Sequence, residues 1–130
     1  MIALDTNVLV RVFVDDPGQP WQVEAARQKA VEAGEVYVPQ VVQVESVWVY
    51  QKAFRLEKDE ILRILDHLRN NSAFVLQRPE VYTAALEHFR KTTLDFADCV
   101  IFQEAGLKGV QLCTFDKEFS SVDGIDVLSA

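Results

Sequence analysis

The sequence predicts an α/β protein, a three-layer α/β/α sandwich with a central, mostly parallel sheet. Short apolar runs that suit buried strands alternate with longer segments of helical periodicity. The runs are nearly continuous in apolar residues, which is typical of parallel strands covered on both faces. The length of 130 residues and the absence of any linker-like stretch predict one domain, residues 1–130.

Five strands are predicted, each a short apolar run that ends at a turn or capping residue. They cover residues 1–4, 36–38, 73–76, 110–113 and 125–128. Six helices are predicted between them, over residues 8–14, 21–33, 40–54, 58–69, from 79 onward, and 94–107. The first helix also shows strand-like alternation of valines, but the capping residues Asp5-Thr6-Asn7 before it favour a helix. The last of the six is expected to end near Gly106 or Gly109.

Composition restricts the classes of function. The chain is 49% hydrophobic and 25% charged, which excludes a disordered protein. No uncharged apolar stretch approaches the ~20 residues of a membrane span, and no secretory signal is apparent. Cys99 and Cys113 are too few for a disulfide framework, so we expect two buried thiols in a reducing cytoplasm.

The charge balance is acidic, with 20 acidic and 13 basic side chains and a net charge of −7. Passive binding of duplex nucleic acid is therefore disfavoured, because such proteins neutralise phosphates with basic residues. The excess of acids serves either solubility or a site that gathers carboxylates around a cation. The positions of the acids distinguish these two explanations.

Two acids follow predicted strands. Asp5 ends the first strand, and Asp116 follows the strand at residues 110–113 by way of Thr114-Phe115. Because sites in open α/β sheets form at the carboxyl ends of strands, we expect both side chains at the same edge.

Three further acids lie on predicted helices. Glu45 shares a helical stripe with Val41 and Trp48, and Asp98 shares one with Leu94 and Ile101, so both are expected to face the core. Asp95 points to nearly the same side as Asp98. Each of these acids could also have a purely structural role. Asp5 and Asp95 could cap helices, Asp98 could face the edge of the sheet, and Glu45 could form a salt bridge with Arg11 or Lys52.

Electrostatics indicates what such a cluster would require. Two carboxylates ~4 Å apart repel by roughly 4 kcal/mol at an effective dielectric constant near 20. Several such pairs would cost much of a domain's stability of ~5–15 kcal/mol, so the cluster must take up protons or bind a cation. Oxygen ligands without nearby His or Cys suit Mg²⁺ or Mn²⁺.

The motifs resemble those of the PIN-domain nucleases. They are Asp5-Thr6-Asn7 after the first strand, Val38-Pro39 with Glu45 beyond it, Asp95-Phe96-Ala97-Asp98, and Thr114-Phe115-Asp116. The segment Leu4–Arg11 followed by Asp15-Asp16-Pro17 is similar to the toxin ribonucleases of VapBC toxin–antitoxin pairs. The resemblance spans essentially the whole chain.

This resemblance implies an α/β/α sandwich and metal-dependent cleavage of RNA. It assigns Asp5, Glu45, Asp98 and Asp116 as an acidic cluster around one or two Mg²⁺ or Mn²⁺ ions. Asp95 would be an auxiliary acid, Asn7 a polar support for Asp5, and Thr114 a supporting group beyond the metal ligands.

The resemblance also implies partners. A homodimer is expected, as is inhibition by a cognate antitoxin, whose arginine could replace the metal's charge in the acidic site. RNA affinity is not explained by the acidic composition. The plausible phosphate contacts are Arg11, Lys52, Arg55 and the pair Arg90-Lys91, although solvated surface is an equally simple role for them.

Three other classes of function remain open on the residues alone. An aspartyl-phosphate phosphatase could use Asp5 as nucleophile, but Asn7 stands where a second Asp is wanted. A receiver-like domain would need an acidic pair at the end of the first strand, and Asp15-Asp16 lies too far along. A non-catalytic binding scaffold of the same fold is also possible. Trp21 and Trp48 could stack on bases, but the helical spacing of the aromatic residues assigns most of them to the core.

Overall fold

The computed structural model describes all residues from 1 to 130. In chain order the elements are β1 (Ile2–Ala3), α1 (Thr6–Phe13), α2 (Pro20–Ala33), β2 (Val36–Val38), α3 (Gln40–Lys52), α4 (Lys58–Asn70), β3 (Phe74–Leu76), α5 (Pro79–Lys91), α6 (Phe96–Lys108), β4 (Leu112–Thr114), a 3₁₀-helix (Lys117–Ser121) and β5 (Ile125–Val127). The chain divides into two compact units, Met1–Pro79 and Glu80–Ala130. None of the helices combines the length and apolar character needed to cross a lipid bilayer.

The first unit is built on a three-stranded parallel sheet in the order β1-β2-β3. Ile2 pairs with Val36, and Val36 in turn pairs with Phe74. Helix α1 packs on α2 and α3, and α4 packs on β3. Buried Gln43 of α3 donates from Nε2 to the carbonyls of Val38 and Gln77, at 3.1 and 2.9 Å. That side chain therefore ties α3 to the ends of β2 and β3, where site residues are expected.

The second unit contains α5, α6 and the parallel pair β4-β5. Phe96, at the start of α6, packs edge-on against Tyr82 and Phe89 of α5, with ring centroids 6.0 and 5.6 Å apart. Buried Phe119 anchors the 3₁₀-helix that follows β4. Gly109 ends α6 with a positive φ of 73°, a conformation that favours glycine.

The predicted α/β class and the parallel pairing of the strands are confirmed. Boundaries differ slightly: α1 begins at Thr6 rather than Val8, α6 begins at Phe96 rather than Leu94, and the strand expected at 110–113 is Leu112–Thr114. Polar capping residues explain the shifts at both helices, because Asp5 and Asp95 stand just before the first helical residue.

Trp48 and Cys113, both expected in the interior, are exposed, and so is Trp21. Trp21 is 66% exposed and Trp48 40% exposed. In α2 the buried positions are taken by Val23 and Ala26, so Trp21 lies off the packed face. Cys113 is exposed on β4, while Cys99 is buried as expected, and both are free thiols.

Candidate active site

Asp5 caps the first helix. Its Oδ1 accepts a hydrogen bond from the backbone N–H of Val8 at 3.1 Å, and the side chain is exposed. This is the structural role considered for a strand-end aspartate, and it fixes one oxygen of the carboxylate at the start of α1. The other oxygen, Oδ2, makes no hydrogen bond within the protein.

Glu45 is joined to the same helix start by Thr6. The hydroxyl Oγ1 of Thr6 donates to Oε1 of Glu45 at 3.0 Å, across 39 positions of sequence. Since Thr6 directly follows Asp5, this bond holds the Glu45 carboxylate close to the Asp5 cap. Oε2 of Glu45 stays without a hydrogen bond.

The expectation that Glu45 faces the core is wrong. Glu45, Val41 and Trp48 form an exposed stripe of α3. The buried face of α3 is Val42, Gln43, Ser46, Val47 and Tyr50. Valines occur all round this helix, so apolar spacing did not identify the packed face, and two polar residues occupy it. The salt bridge to Arg11 does not form either, because Arg11 pairs with Asp16 at 2.9 Å.

In the second unit, Asp95 and Asp116 are both capping residues. Oδ1 of Asp95 accepts from the N–H of Phe96 at 3.1 Å, which confirms the capping role considered for it. Oδ1 of Asp116 accepts from the N–H of Glu118 at 2.9 Å and so begins the 3₁₀-helix. Thr114 supports that turn, since its Oγ1 accepts from the N–H of Asp116 at 3.0 Å.

Asp98 lies in the first turn of α6 among these acids. It is half-buried, whereas Ile101 of its expected core stripe is 50% exposed, so the stripe is only partly internal. Burial raises the pKa of Asp98, and the negative charges of Asp95, Asp116 and Glu118 raise that pKa further. Within this unit, Asp98 is therefore the side chain whose negative charge is repelled by the neighbouring carboxylates.

This repulsion predicts that Asp98→Asn stabilises the metal-free protein at neutral pH. The pKa of Asp98 is higher in the folded state than in the unfolded state. Asp98 therefore stabilises the fold at low pH, where it is protonated, and this contribution is lost as the pH rises through the folded-state pKa. We expect the variant's Tm in EDTA at pH 7 to exceed the parent's, by an amount that solvent screening keeps small because Asp98 is only partly buried.

The difference should shrink as the pH approaches 3.8, the ordinary pKa of Asp. Asp123→Asn, a substitution of an exposed aspartate outside the cluster, is the matched control and should show no such pH-dependent gain. A lower Tm for Asp98→Asn at pH 7 would contradict the electrostatic interpretation.

Asn7, expected to support Asp5, makes no side-chain hydrogen bond to it; its backbone carbonyl accepts from Nη1 of Arg11 at 2.9 Å. Two contributors were missed. Thr6 was quoted as part of a motif, but its partner is distant in sequence. Glu118 acts on Asp98 through space, and the sequence offers no signal for it except its closeness to Asp116.

The carboxylates expected to bind a metal are of the chemical type that binds a hard divalent cation. Asp5, Glu45, Asp98 and Asp116 each keep at least one carboxylate oxygen free of hydrogen bonds, and none of them forms an ion pair. Oxygen donors of this type are those that Mg²⁺ and Mn²⁺ prefer. In neither unit taken alone do three or more His, Cys, Asp or Glu side chains stand in an arrangement that could hold a metal ion.

Parallel strands that lead into acidic caps define an α/β protein with candidate sites at its strand ends. The PIN domain family model matches residues 2–125, and the chain belongs to the PIN domain family. It is 22% identical over 124 residues to the VapC ribonuclease of Aquifex aeolicus (strain VF5), covering 94% of this chain and 92% of that protein. A chain of a toxin-antitoxin complex from Klebsiella pneumoniae is 19% identical, with a TM-score of 0.36, over 96% of this chain and 95% of that chain.

Proposed function

We propose that this protein is an Mg²⁺- or Mn²⁺-dependent endoribonuclease that hydrolyses RNA phosphodiesters as the toxin of a toxin–antitoxin pair. Membership of the PIN domain family and similarity along nearly the whole chain to a VapC ribonuclease support the reaction class. The structural observation that carries the proposal is the gathering of carboxylates at the start of α6, where Asp95, Asp116 and Glu118 lie close enough to the half-buried Asp98 to repel its charge. A bound cation would relieve that repulsion.

The residues proposed to hold the metal are Asp5, Glu45, Asp98 and Asp116, with Asp95 as an auxiliary acid. When bound, the cation would neutralise charge on the phosphate oxygens and lower the pKa of a coordinated water. The protein's own contribution is to fix the carboxylates: the N–H of Val8 orients Asp5, and Thr6 orients Glu45. In the second unit the N–H of Glu118 orients Asp116.

The role of Thr6 leads to a prediction. Thr6→Val keeps the shape of the side chain but removes the hydroxyl that donates to Glu45. We expect RNA cleavage to slow by about 10-fold or more and the Kd for Mn²⁺ to rise by a similar factor, the usual effect of losing a group that orients a metal ligand. Initial cleavage rates and calorimetric titration with Mn²⁺ measure the two effects.

Thr6→Ser is the matched control, because it keeps the hydroxyl and should retain most of the activity. If Thr6→Val cleaves RNA and binds Mn²⁺ as the parent does, the hydrogen bond to Glu45 has no functional role.

The proposed partners follow from the same similarity. They are an RNA substrate, a cognate antitoxin protein and a second copy of the chain in a homodimer, all acting in the cytoplasm. Light scattering on the purified chain tests the homodimer. Co-purification with the protein encoded by the adjacent reading frame, when both are expressed, tests the antitoxin.

The reaction itself is tested by incubating the protein with RNA in EDTA and after adding Mg²⁺ or Mn²⁺ in excess. We expect no cleavage in chelator and restored cleavage with either ion. Sequencing the 5′ ends of cellular RNA after brief expression would identify the target. Cleavage in excess chelator would exclude the metal mechanism, and absence of cleavage under all conditions would favour a binding scaffold.

A further inference from the structure

A cleft in the first unit lies between α1 and α2, close to Asp5. It has a volume of about 680 Å³, within the range of ligand sites, which is ~300–1,000 Å³. Its lining residues are Asp5, Asn7, Val8, Arg11, Gln19, Trp21, Gln22, Ala25, Ala26 and Lys29. We refer to it as the Trp21 cleft.

The charge of the Trp21 cleft differs from that of the protein as a whole. The chain carries 20 acidic and 13 basic side chains, yet the cleft contains two cations, Arg11 and Lys29, and one carboxylate, that of Asp5. A groove of about 570 Å³ on another side of α2 has the opposite balance, with Asp15, Glu24 and Glu32 against Arg27. Helix α2 thus presents its acids away from the cleft that reaches Asp5.

The two cations of the cleft have different roles. The guanidinium of Arg11 is already engaged, since Nη1 donates to the carbonyl of Asn7 and Nη2 pairs with Asp16, both at 2.9 Å. Lys29 is exposed and forms no ion pair. Lys29 is therefore the cation that is free to meet an anionic ligand.

Trp21 supplies a flat aromatic surface at the same place. Its side chain is 66% exposed, an unusual state for the largest apolar residue of a small protein. Trp21, Ala25 and Lys29 follow one another at steps of four residues on one face of α2, which places Trp21 and Lys29 about 12 Å apart along the helix axis. The small side chain of Ala25 leaves the space between them open.

We propose that the Trp21 cleft binds single-stranded RNA beside the phosphodiester that is cut, with a base stacked on the Trp21 indole and a backbone phosphate at Nζ of Lys29. This inference rests on the proposed ribonuclease function. Single strands are generally bound by aromatic side chains on which bases stack and by basic side chains that contact the backbone, and Trp21 and Lys29 supply one of each. The amides of Asn7, Gln19 and Gln22 add hydrogen-bonding groups that can meet base edges. A protein segment is the alternative occupant.

The test measures binding and cleavage of one fluorescein-labelled single-stranded oligoribonucleotide. Anisotropy in EDTA gives the Kd, and initial rates in Mg²⁺ give KM and kcat. We expect Trp21→Ala to raise the Kd and KM by roughly 5- to 100-fold, as for the loss of one stacked base, with a much smaller change in kcat. Trp21→Phe, which keeps an aromatic ring, should recover most of the affinity.

Two further variants separate stacking from charge. Lys29→Gln should weaken binding and make the dependence of log Kd on log salt less steep by about 0.7, the contribution of one phosphate contact to a single strand. Val31→Ala removes an apolar side chain that is 82% exposed on α2 and lies outside the Trp21 cleft, and it should leave Kd, KM and kcat unchanged. Circular dichroism and Tm confirm that each variant is folded.

The outcomes distinguish this inference from the function on which it rests. If the parent cleaves RNA and the folded Trp21→Ala variant keeps the parent's Kd and KM, the cleft does not bind substrate and a protein segment becomes the favoured occupant, while the ribonuclease function stands. If the parent neither binds nor cleaves RNA, both proposals are wrong.

Discussion

Asp98→Asn is expected to reduce the rate of RNA cleavage by about 100- to 1,000-fold, because losing a ligand charge weakens the hold on the cation, and losing one electrostatic contribution to a transition state costs about that much. Asn has nearly the shape of Asp but no negative charge, so the substitution removes a ligand charge with little change in packing. The measurement is the initial rate on a labelled single-stranded RNA at saturating Mg²⁺. Asp123→Asn, outside the acidic cluster, should cleave at the parental rate.

A higher Tm in the same variant would show that unfolding is not the cause of its lost activity. The raised pKa of Asp98 predicts a higher Tm for Asp98→Asn in EDTA, as argued above. A variant that is more stable and inactive would show that the cluster is maintained against its own repulsion. An Asp98→Asn variant that cleaves RNA at the parental rate would remove Asp98 from the proposed site.

The sequence predicted those features of the fold that depend on neighbouring residues. Strands such as Val36–Val38 are short apolar runs with a proline or polar residue after them, and caps such as Asp5 stand next to the helix they begin. Both signals act over a few positions. The strands form a three-stranded and a two-stranded sheet, and this division depends on pairing between segments that are distant in sequence. The apolar runs do not specify which segments pair or in which register.

The candidate site was predicted in its residue types and less well in its geometry. Glu45 was placed on the buried face of α3 because Val41 and Trp48 stand at helical spacing from it, whereas that stripe is exposed and the partner of Glu45 is Thr6, 39 positions earlier. Helical spacing assigned most of the aromatic residues to the core, but Trp21 is exposed because Val23 and the small Ala26 make the packed face of α2. In both helices the side that faces the interior is decided by tertiary packing, which sequence periodicity reflects only weakly.

Asp5→Asn is expected to lose about as much activity as Asp98→Asn, and the double variant should be scarcely slower than either single variant. The proposal gives both carboxylates to one metal-dependent reaction. Groups that act as a unit show such non-additive losses, because once the unit is broken a second deletion removes little more. The measurement is a double-mutant cycle on initial cleavage rates at saturating Mg²⁺.

Independent roles predict the opposite result, since separate losses of about 100-fold each would multiply to about 10,000-fold. The Kd for Mn²⁺ should follow the same pattern, with both single variants weakened and the double variant little weaker, and this readout does not depend on catalysis. Asp5→Asn needs one further control, because Oδ1 of Asp5 caps α1. Asparagine is also a favoured capping residue, so α1 and the Tm should be retained. Multiplicative losses in rate together with additive changes in the Mn²⁺ affinity would show that Asp5 and Asp98 do not serve one catalytic centre.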